Sequence, residues 1–171
     1  MKLITIKCKL GLEKEQVFSY QKASVMQGIL MEWLDPDYVE KLHMGGWNPY
    51  AQHLEKVKGD WYWIVSLFGE EACDRIYPIL LNADKNKVFL RRENLEIPIL
   101  EKQVEMIDTD ELMKKFYFQD ASSHIRVRFK TPTAFKQKGG YLFYPDIGCI
   151  LQSMIHKYDA VTVQEGEIDE S

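Results

Sequence analysis

Histidine is the side chain that trades protons most readily near neutral pH, and this chain has four: His43, His53, His124 and His156. None sits in an HExxH string or has a carboxylate at metal-ligand spacing, so no zinc site and no other metal is expected. His43 is the informative one. It falls between two expected elements and precedes Gly45-Gly46, where the lack of side chains lets backbone approach a phosphate closely. Such a histidine could move a proton at a reacting centre, or could be a surface loop residue with no task. The second chemical signal is charge. Ile125, Val127 and Phe129 alternate with Arg126, Arg128 and Lys130, the period-two pattern of a strand over Ile125–Lys130 with one apolar and one cationic face. Lys136 and Lys138 bring the count between Ala121 and Tyr141 to five cations and no carboxylate, whereas Asp159 to Ser171 holds five carboxylates and no cation. A face of that kind binds phosphate, or is a solvated edge whose charges resist aggregation.

The elements that must hold these residues follow from periodicity. Lys2 to Lys9 alternates Ile4, Ile6 and Cys8 with polar residues and reads as a strand. Phe18, Val25, Met26, Ile29, Leu30 and Trp33 recur at helical spacing, which predicts a helix over Glu13–Leu34 that carries Tyr20 and is closed by Asp35-Pro36. Tyr50 to Val57 and Trp61 to Phe68 form a hairpin about Gly59-Asp60. Glu70 to Leu81 is a second helix with a kink or fraying at Pro78, and Lys87–Arg91 and Leu95–Met106 are further strands. The order strand, helix, strand, strand, helix, strand is that of an α+β, ferredoxin-like βαββαβ domain. It occupies residues 1–118, with Asp108 to Phe118 as the crossover. Residues 119–164 then supply the Ile125–Lys130 strand, a helix over Ile147–Tyr158 after Pro145 and the expected N-cap Asp146, and a short strand over Ala160–Gln164. The helix stripe of Ile147, Ile150, Leu151, Met154, Ile155 and Tyr158 is expected to pack on that first strand, and an acidic tail covers 165–171.

Composition narrows the classes of function. At 171 residues, with 46% hydrophobic and 28% charged residues, the chain can hold one ample domain or two small ones. A formal net charge of −4 argues against a surface that grips nucleic acid throughout, so any such role belongs to a local face. No apolar run approaches the ~20 residues of a membrane span and the N-terminus lacks an apolar signal core, so a cytoplasmic protein with no membrane partner is expected. Cys8, Cys73 and Cys149 are far apart and are read as core thiols. Strings of the form GxxxxGK[ST], GxGxxG and GxSxG are absent, which removes the common nucleotide and acyl-transfer readings. Trp47, Tyr50, Trp61 and Trp63 are candidates for stacking on bases, although Trp61 to Phe68 reads more readily as core.

Two blocks carry a family resemblance. The first is Phe129-Lys-Thr-Pro-Thr-Ala-Phe135, a glycine-containing turn, an aromatic before Pro145-Asp146, then Ile150-Leu-Gln-Ser153 and a closing aromatic. The second is Tyr20 to Trp33, followed by Leu42-His-Met-Gly-Gly-Trp-Asn-Pro-Tyr50 and Leu54. In this order they resemble the metal-independent CRISPR repeat-RNA endoribonucleases, over about half the chain. The resemblance implies two ferredoxin-like domains, the second opened by the first block and only partial here. It implies cleavage of precursor CRISPR RNA within repeats to a 2′,3′-cyclic phosphate, with no cofactor. His43 would be the general acid or base, Tyr20 and Asn48 would stand near the scissile phosphate, and Arg126, Arg128, Lys130, Lys136 and Lys138 would bind RNA.

The chain also departs from that pattern. Asn48 stands where the family commonly has a basic residue, and Ala51 and His53 stand where small hydroxyl residues are usual. An amide can hydrogen-bond a phosphate but cannot neutralise it, so His53, Lys56 or Lys58 would have to supply charge. The family's further hairpin, helix and glycine-rich loop do not follow Gln164, which leaves an unpaired sheet edge and an expectation of a homodimer or of other CRISPR subunits as partners. Two alternatives stay open: an inactive RNA-binding or scaffold subunit, and a small α/β interaction module.

Overall fold

A computed structural model describes residues 2–13, 16–44, 48–117, 124, 126–129, 135–137 and 139–166. The chain divides into two compact units, Met1–Phe118 and Gln119–Ser171.

The first unit is built on β1 (Lys2–Leu10), whose even-numbered positions Ile4, Ile6, Cys8 and Leu10 are all buried. β1 pairs antiparallel on one side with β3 (Asp60–Phe68) and on the other with β5 (Leu95–Asp108), Ile6 standing opposite Val65 and Val104. β2 (Tyr50–Val57) pairs with β3, and the short β4 (Lys87–Leu90) pairs with the start of β5. The five-stranded order is β2-β3-β1-β5-β4. With β4 set aside as an added edge strand, β2-β3-β1-β5 is the all-antiparallel order that a βαββαβ chain makes. The helices lie over the core face. α1 (Ala23–Trp33) packs on β2 and β4, α3 (Glu70–Leu81) packs on β1 and β3, and α4 (Thr109–Tyr117) follows β5. Trp63, Ile6, Met26, Leu30, Leu67 and Ile76 are fully buried between the layers. Each such side chain withdrawn from water stabilises the fold by roughly 1.5–3 kcal/mol.

Sequence and structure part company at the first helix. Residues 16–19 are not helical. Ser19 is extended (φ −144°, ψ 164°), a 3-10 turn covers Tyr20–Lys22, and α1 begins only at Ala23. Phe18 is pulled into the core instead, edge-on to Trp61 at 5.2 Å, so its apolar spacing marked burial rather than helix. The helix ends at Trp33 before Asp35-Pro36, as the sequence predicts, but Pro36 also opens α2 (Pro36–Met44). Asp35 caps it, its Oδ1 accepting the backbone N–H groups of Asp37 (3.0 Å) and Tyr38 (3.4 Å), and proline is favoured at a first helical position because its missing N–H needs no partner there. His43 is therefore on a helix, not in a loop. The β2–β3 turn centres on Lys58 (φ 51°) and Gly59 (φ 97°), one residue earlier than expected, and two positive φ values match the right-handed twist of the strands. Cys8 and Cys73 are core thiols, and burial pushes the Cys8 thiol up to about 11; Cys149 is only partly covered.

In the second unit the expected Ile125–Lys130 strand does not form over Arg126–Phe129, which are irregular and exposed; Ile125 and Lys130 lie outside the described residues. A ladder needs a partner, and the pairing made here is a later hairpin, β6 (Phe135–Gln137) with β7 (Gly140–Leu142), turning at Gly139 (φ 82°). α5 (Ile147–Gly166) begins where expected but runs eight residues past Tyr158, through the segment read as the strand Ala160–Gln164. A helix satisfies its backbone internally, so the local β-branched residues do not override it. The expected packing of the α5 stripe on the Ile125–Lys130 strand fails with that strand, and Ile147, Leu151, Met154, Ile155 and Tyr158 are all exposed. The tail beyond 166 lies outside the described residues.

Two measurements check this account. Lys58 carries the left-handed strain that asparagine bears more easily, so Lys58→Asn should raise unfolding stability in urea by a few tenths to about 1 kcal/mol, and Gly59→Val should lower it. Tyr38 is buried and its hydroxyl has no hydrogen-bond partner among the described residues. Burial, reinforced by the Glu71 carboxylate, pushes its phenol up to about 12. A folded value above the ordinary 10 favours the neutral phenol, so this part of the stability is complete below pH 10 and is lost as pH rises towards 12. Tyr38→Phe should fold at least as stably at pH 7 and lose stability less steeply from pH 10 to 12 than the parent; identical alkaline profiles would contradict this.

Candidate functional site

Three groups of sequence-predicted residues can be placed. His43 is exposed on the last turn of α2, where Lys41 also lies and where the helix dipole favours cations. It lines an open, mainly apolar depression with Met31, Leu34, Val39 and Met44, and Glu32 and Glu40 also belong to the lining. Leu42, one residue before, is buried and pins this turn to the core. Gly45 and Gly46, the glycine pair beside His43, lie outside the described residues, as does Trp47. Asn48 is exposed two residues before β2, and Tyr50, which opens that strand, is buried with its hydroxyl accepting from Gln27 Nε2 at 3.1 Å. Buried residues thus flank the two placed candidates, Leu42 before His43 and Tyr50 after Asn48.

Tyr20 belongs to a different neighbourhood. It is 44% exposed in the 3-10 turn, and its ring meets Trp61 edge-on at 5.0 Å. Lys56, opposite Trp61 in the β2–β3 register, holds its ammonium 5.5 Å above the Trp61 ring. Lys56, Lys58, Asp60 and Trp61 line a cleft with Leu12, Glu13 and Gln16, and Asp60 pairs with Lys9 at 2.7 Å, which holds the Lys9 ammonium above its ordinary range. Tyr20 and His43 share no neighbour among these contacts. Ion pairs from Lys22 to Glu93 and from Arg91 to Glu32 (2.9 Å) tie both ends of the Tyr20–Trp33 stretch to the β4–β5 connection. Both are surface pairs and hold position more than they stabilise.

Arg126 and Arg128 are exposed in the second unit. Lys136 is on β6, opposite Tyr141. Lys130 and Lys138 lie outside the described residues. Of the aromatics read as stacking candidates, Tyr50, Trp61 and Trp63 are core, Trp63 donating to Gln52 Oε1 at 3.0 Å. Among the described residues the most exposed rings are instead Tyr141, Phe143 and Tyr144. Their signal in the sequence is the run of aromatics between Gly140 and Pro145, too short for any periodicity. Among the described residues no group of three or more histidine, cysteine and carboxylate side chains is arranged to hold a metal ion, and no helix is long and apolar enough to cross a membrane.

Comparison of this architecture with solved structures finds a Cas6 histidine-to-alanine mutant, with a TM-score of 0.66 at 19% identity, covering 94% of this chain and 64% of that one. A Cas6 substrate mimic complex (0.64, 19%) and a Cas6 product complex (0.65, 19%) match as well. At that identity the likeness is one of fold. In sequence the chain is 28% identical over 165 residues to the CRISPR-associated endoribonuclease Cas6 of Streptococcus thermophilus, across 92% of this chain and 67% of the relative. It is 31% identical over 159 residues to the Cas6 of Mycobacterium tuberculosis, across 92% of this chain and 50% of the relative. In sequence and in fold the chain is similar to the Cas6 family of CRISPR-associated endoribonucleases. No family model matches it. It spans half to two thirds of the length of these Cas6 relatives. The match runs through both units, so the His43 segment and the basic segment of the second unit both lie within what the Cas6 relatives share in sequence.

Proposed function

We propose that this chain binds precursor CRISPR RNA and cuts it within the repeats by a metal-independent transesterification. The observation that carries this reading is the sequence relationship across 92% of the chain to two Cas6 endoribonucleases. The exposed place of His43, on a helix turn fixed by buried Leu42, agrees with it. In the reaction the 2′-oxygen attacks the adjacent phosphorus and the 5′-oxygen departs with a proton, leaving a 2′,3′-cyclic phosphate and a 5′-hydroxyl. His43 handles one of the two protons as general acid or base. Asn48 offers a hydrogen bond to a phosphate oxygen on the His43 side of β2, and Tyr20 with Lys56 and Lys58 offers a hydrogen bond and positive charge to the same RNA strand from the separate neighbourhood at the far end of β2. Residues 119–164 act as the opening of a second ferredoxin-like unit, and Arg126, Arg128, Lys130, Lys136 and Lys138 hold the RNA backbone. Other CRISPR subunits or a second copy are the protein partners this reading implies, with the cytoplasm as the compartment.

A second reading, an RNA-binding subunit that does not cut, is favoured by one residue. Asn48 cannot neutralise the charge that builds on phosphorus, whereas a basic residue in its place would.

Incubation of labelled repeat RNA in EDTA separates the readings. The parent should cut and leave a cyclic phosphate end, and His43→Ala should be about 10²- to 10⁴-fold slower. Undiminished cleavage by His43→Ala removes the residue from the mechanism, and a parent that binds without cutting establishes the second reading. For binding, replacing Arg126, Arg128 and Lys130 together by alanine should reduce the dependence of log affinity on log salt by about 0.7 for each phosphate that is no longer neutralised. An unchanged salt slope would make this segment a solvated surface.

A further inference from the structure

The segment Tyr141–Tyr144 presents three large aromatic rings to solvent, at 69%, 100% and 83% exposure for Tyr141, Phe143 and Tyr144. Single exposed apolar residues are ordinary, but three rings in four residues are not. The backbone that carries these rings is held on both sides. Leu142, between them, stands opposite Phe135 in the β6–β7 ladder, and Phe135 meets Phe129 edge-on at 5.5 Å. On the other side Pro145 fixes its own backbone angle, and Asp146 closes the segment onto α5 by accepting the Cys149 N–H at 2.7 Å. A hairpin on one side and a capped helix on the other fix the backbone that carries the rings before any ligand arrives, which lowers the ordering cost of binding.

The charge around the rings points to the occupant. From Ala121 to Pro145 the sequence has five cations and no carboxylate, the adjoining carboxylate Asp146 is engaged by the Cys149 N–H, and exposed Arg126 and Arg128 adjoin Phe129, which touches Phe135 of the hairpin. Aromatic faces beside cations, with no base-edge readers required, are what a single strand of nucleic acid needs: π-faces for the bases and positive charge for the phosphates. A protein partner would account for the rings but not for the one-signed charge. We infer that Phe143 and Tyr144, flanked by Tyr141, form a stacking platform for unpaired bases of RNA, with Arg126 and Arg128 holding the adjoining phosphates. This deepens the RNA-binding reading above and rests on it.

The test uses the whole 171-residue chain and two labelled probes of about 12 nucleotides, a uridine RNA and a strand of the same length with abasic ribose units. The parent should prefer the uridine strand. Phe143→Ala with Tyr144→Ala should bind it about 5- to 100-fold more weakly with an unchanged salt slope, and should no longer distinguish it from the abasic strand. Phe143→Tyr should keep the parent's affinity, and far-UV circular dichroism should match throughout. Equal uridine affinity for the parent and the double alanine variant overturns the platform while leaving RNA binding in place. Failure of the parent to bind either probe or repeat RNA overturns both. Self-association of the parent that the double variant abolishes, with RNA affinity unchanged, overturns the platform in favour of protein docking.

Discussion

The double pairing of β1 is the constraint from which the first unit follows. β1 lies between β3 and β5 and is hydrogen-bonded along both edges, so its register is fixed twice, and a slip by one residue would turn Ile4, Ile6, Cys8 and Leu10 from the core to the opposite face. That arrangement places β2 at one edge and β4 at the other, and it places α1 and α3 over one face. α2 and the Tyr20 turn are then what connects α1 to the sheet at its two ends. Tyr20, His43 and Asn48 sit on these connections. Each is tied down by a buried neighbour: Leu42 beside His43, Tyr50 after Asn48, and Trp61 against Tyr20.

How much of this is legible in the sequence depends on how local the cause is. β2, β3, α3 and the start of α5 are readable because alternation, the i, i+3, i+4 stripe and the Pro145-Asp146 pair are signals within a few residues. Periodicity overextends α1 because Phe18 is apolar at helical spacing yet is buried through Trp61, more than forty residues away. α2 is hidden because Asp35-Pro36 both stops α1 and opens the next helix, and only the stop shows in the pattern. In the second unit the alternation at Ile125–Lys130 predicts a strand, but alternation only permits pairing, and the ladder forms instead across Gly139.

The candidate site is legible in its residues and less so in its geometry. His43 is on the surface, as a group that meets substrate must be, but it shares its depression with apolar side chains and two carboxylates rather than with Tyr20. Tyr20 instead stands with Trp61 and Lys56. Sequence spacing brings Tyr20, His43 and Asn48 together in one family pattern, whereas the fold separates them into a 3-10 turn, a helix end and a strand entrance. The exposed rings at 141–144 are hidden from the sequence for the opposite reason. An aromatic run carries no periodicity, and only the hairpin shows that it faces water.

The most direct measurement of where RNA lies is backbone hydrogen exchange of the whole chain with and without repeat RNA carrying a 2′-deoxy residue at the cleavage position. Exchange should slow at the end of α2 and the entrance to β2, and again across 126–144. The outer face of α3, where Glu70, Glu71 and Asp74 are exposed, should be unaffected. Slowing confined to α3, or absent from both the His43 turn and 126–144, would contradict the account.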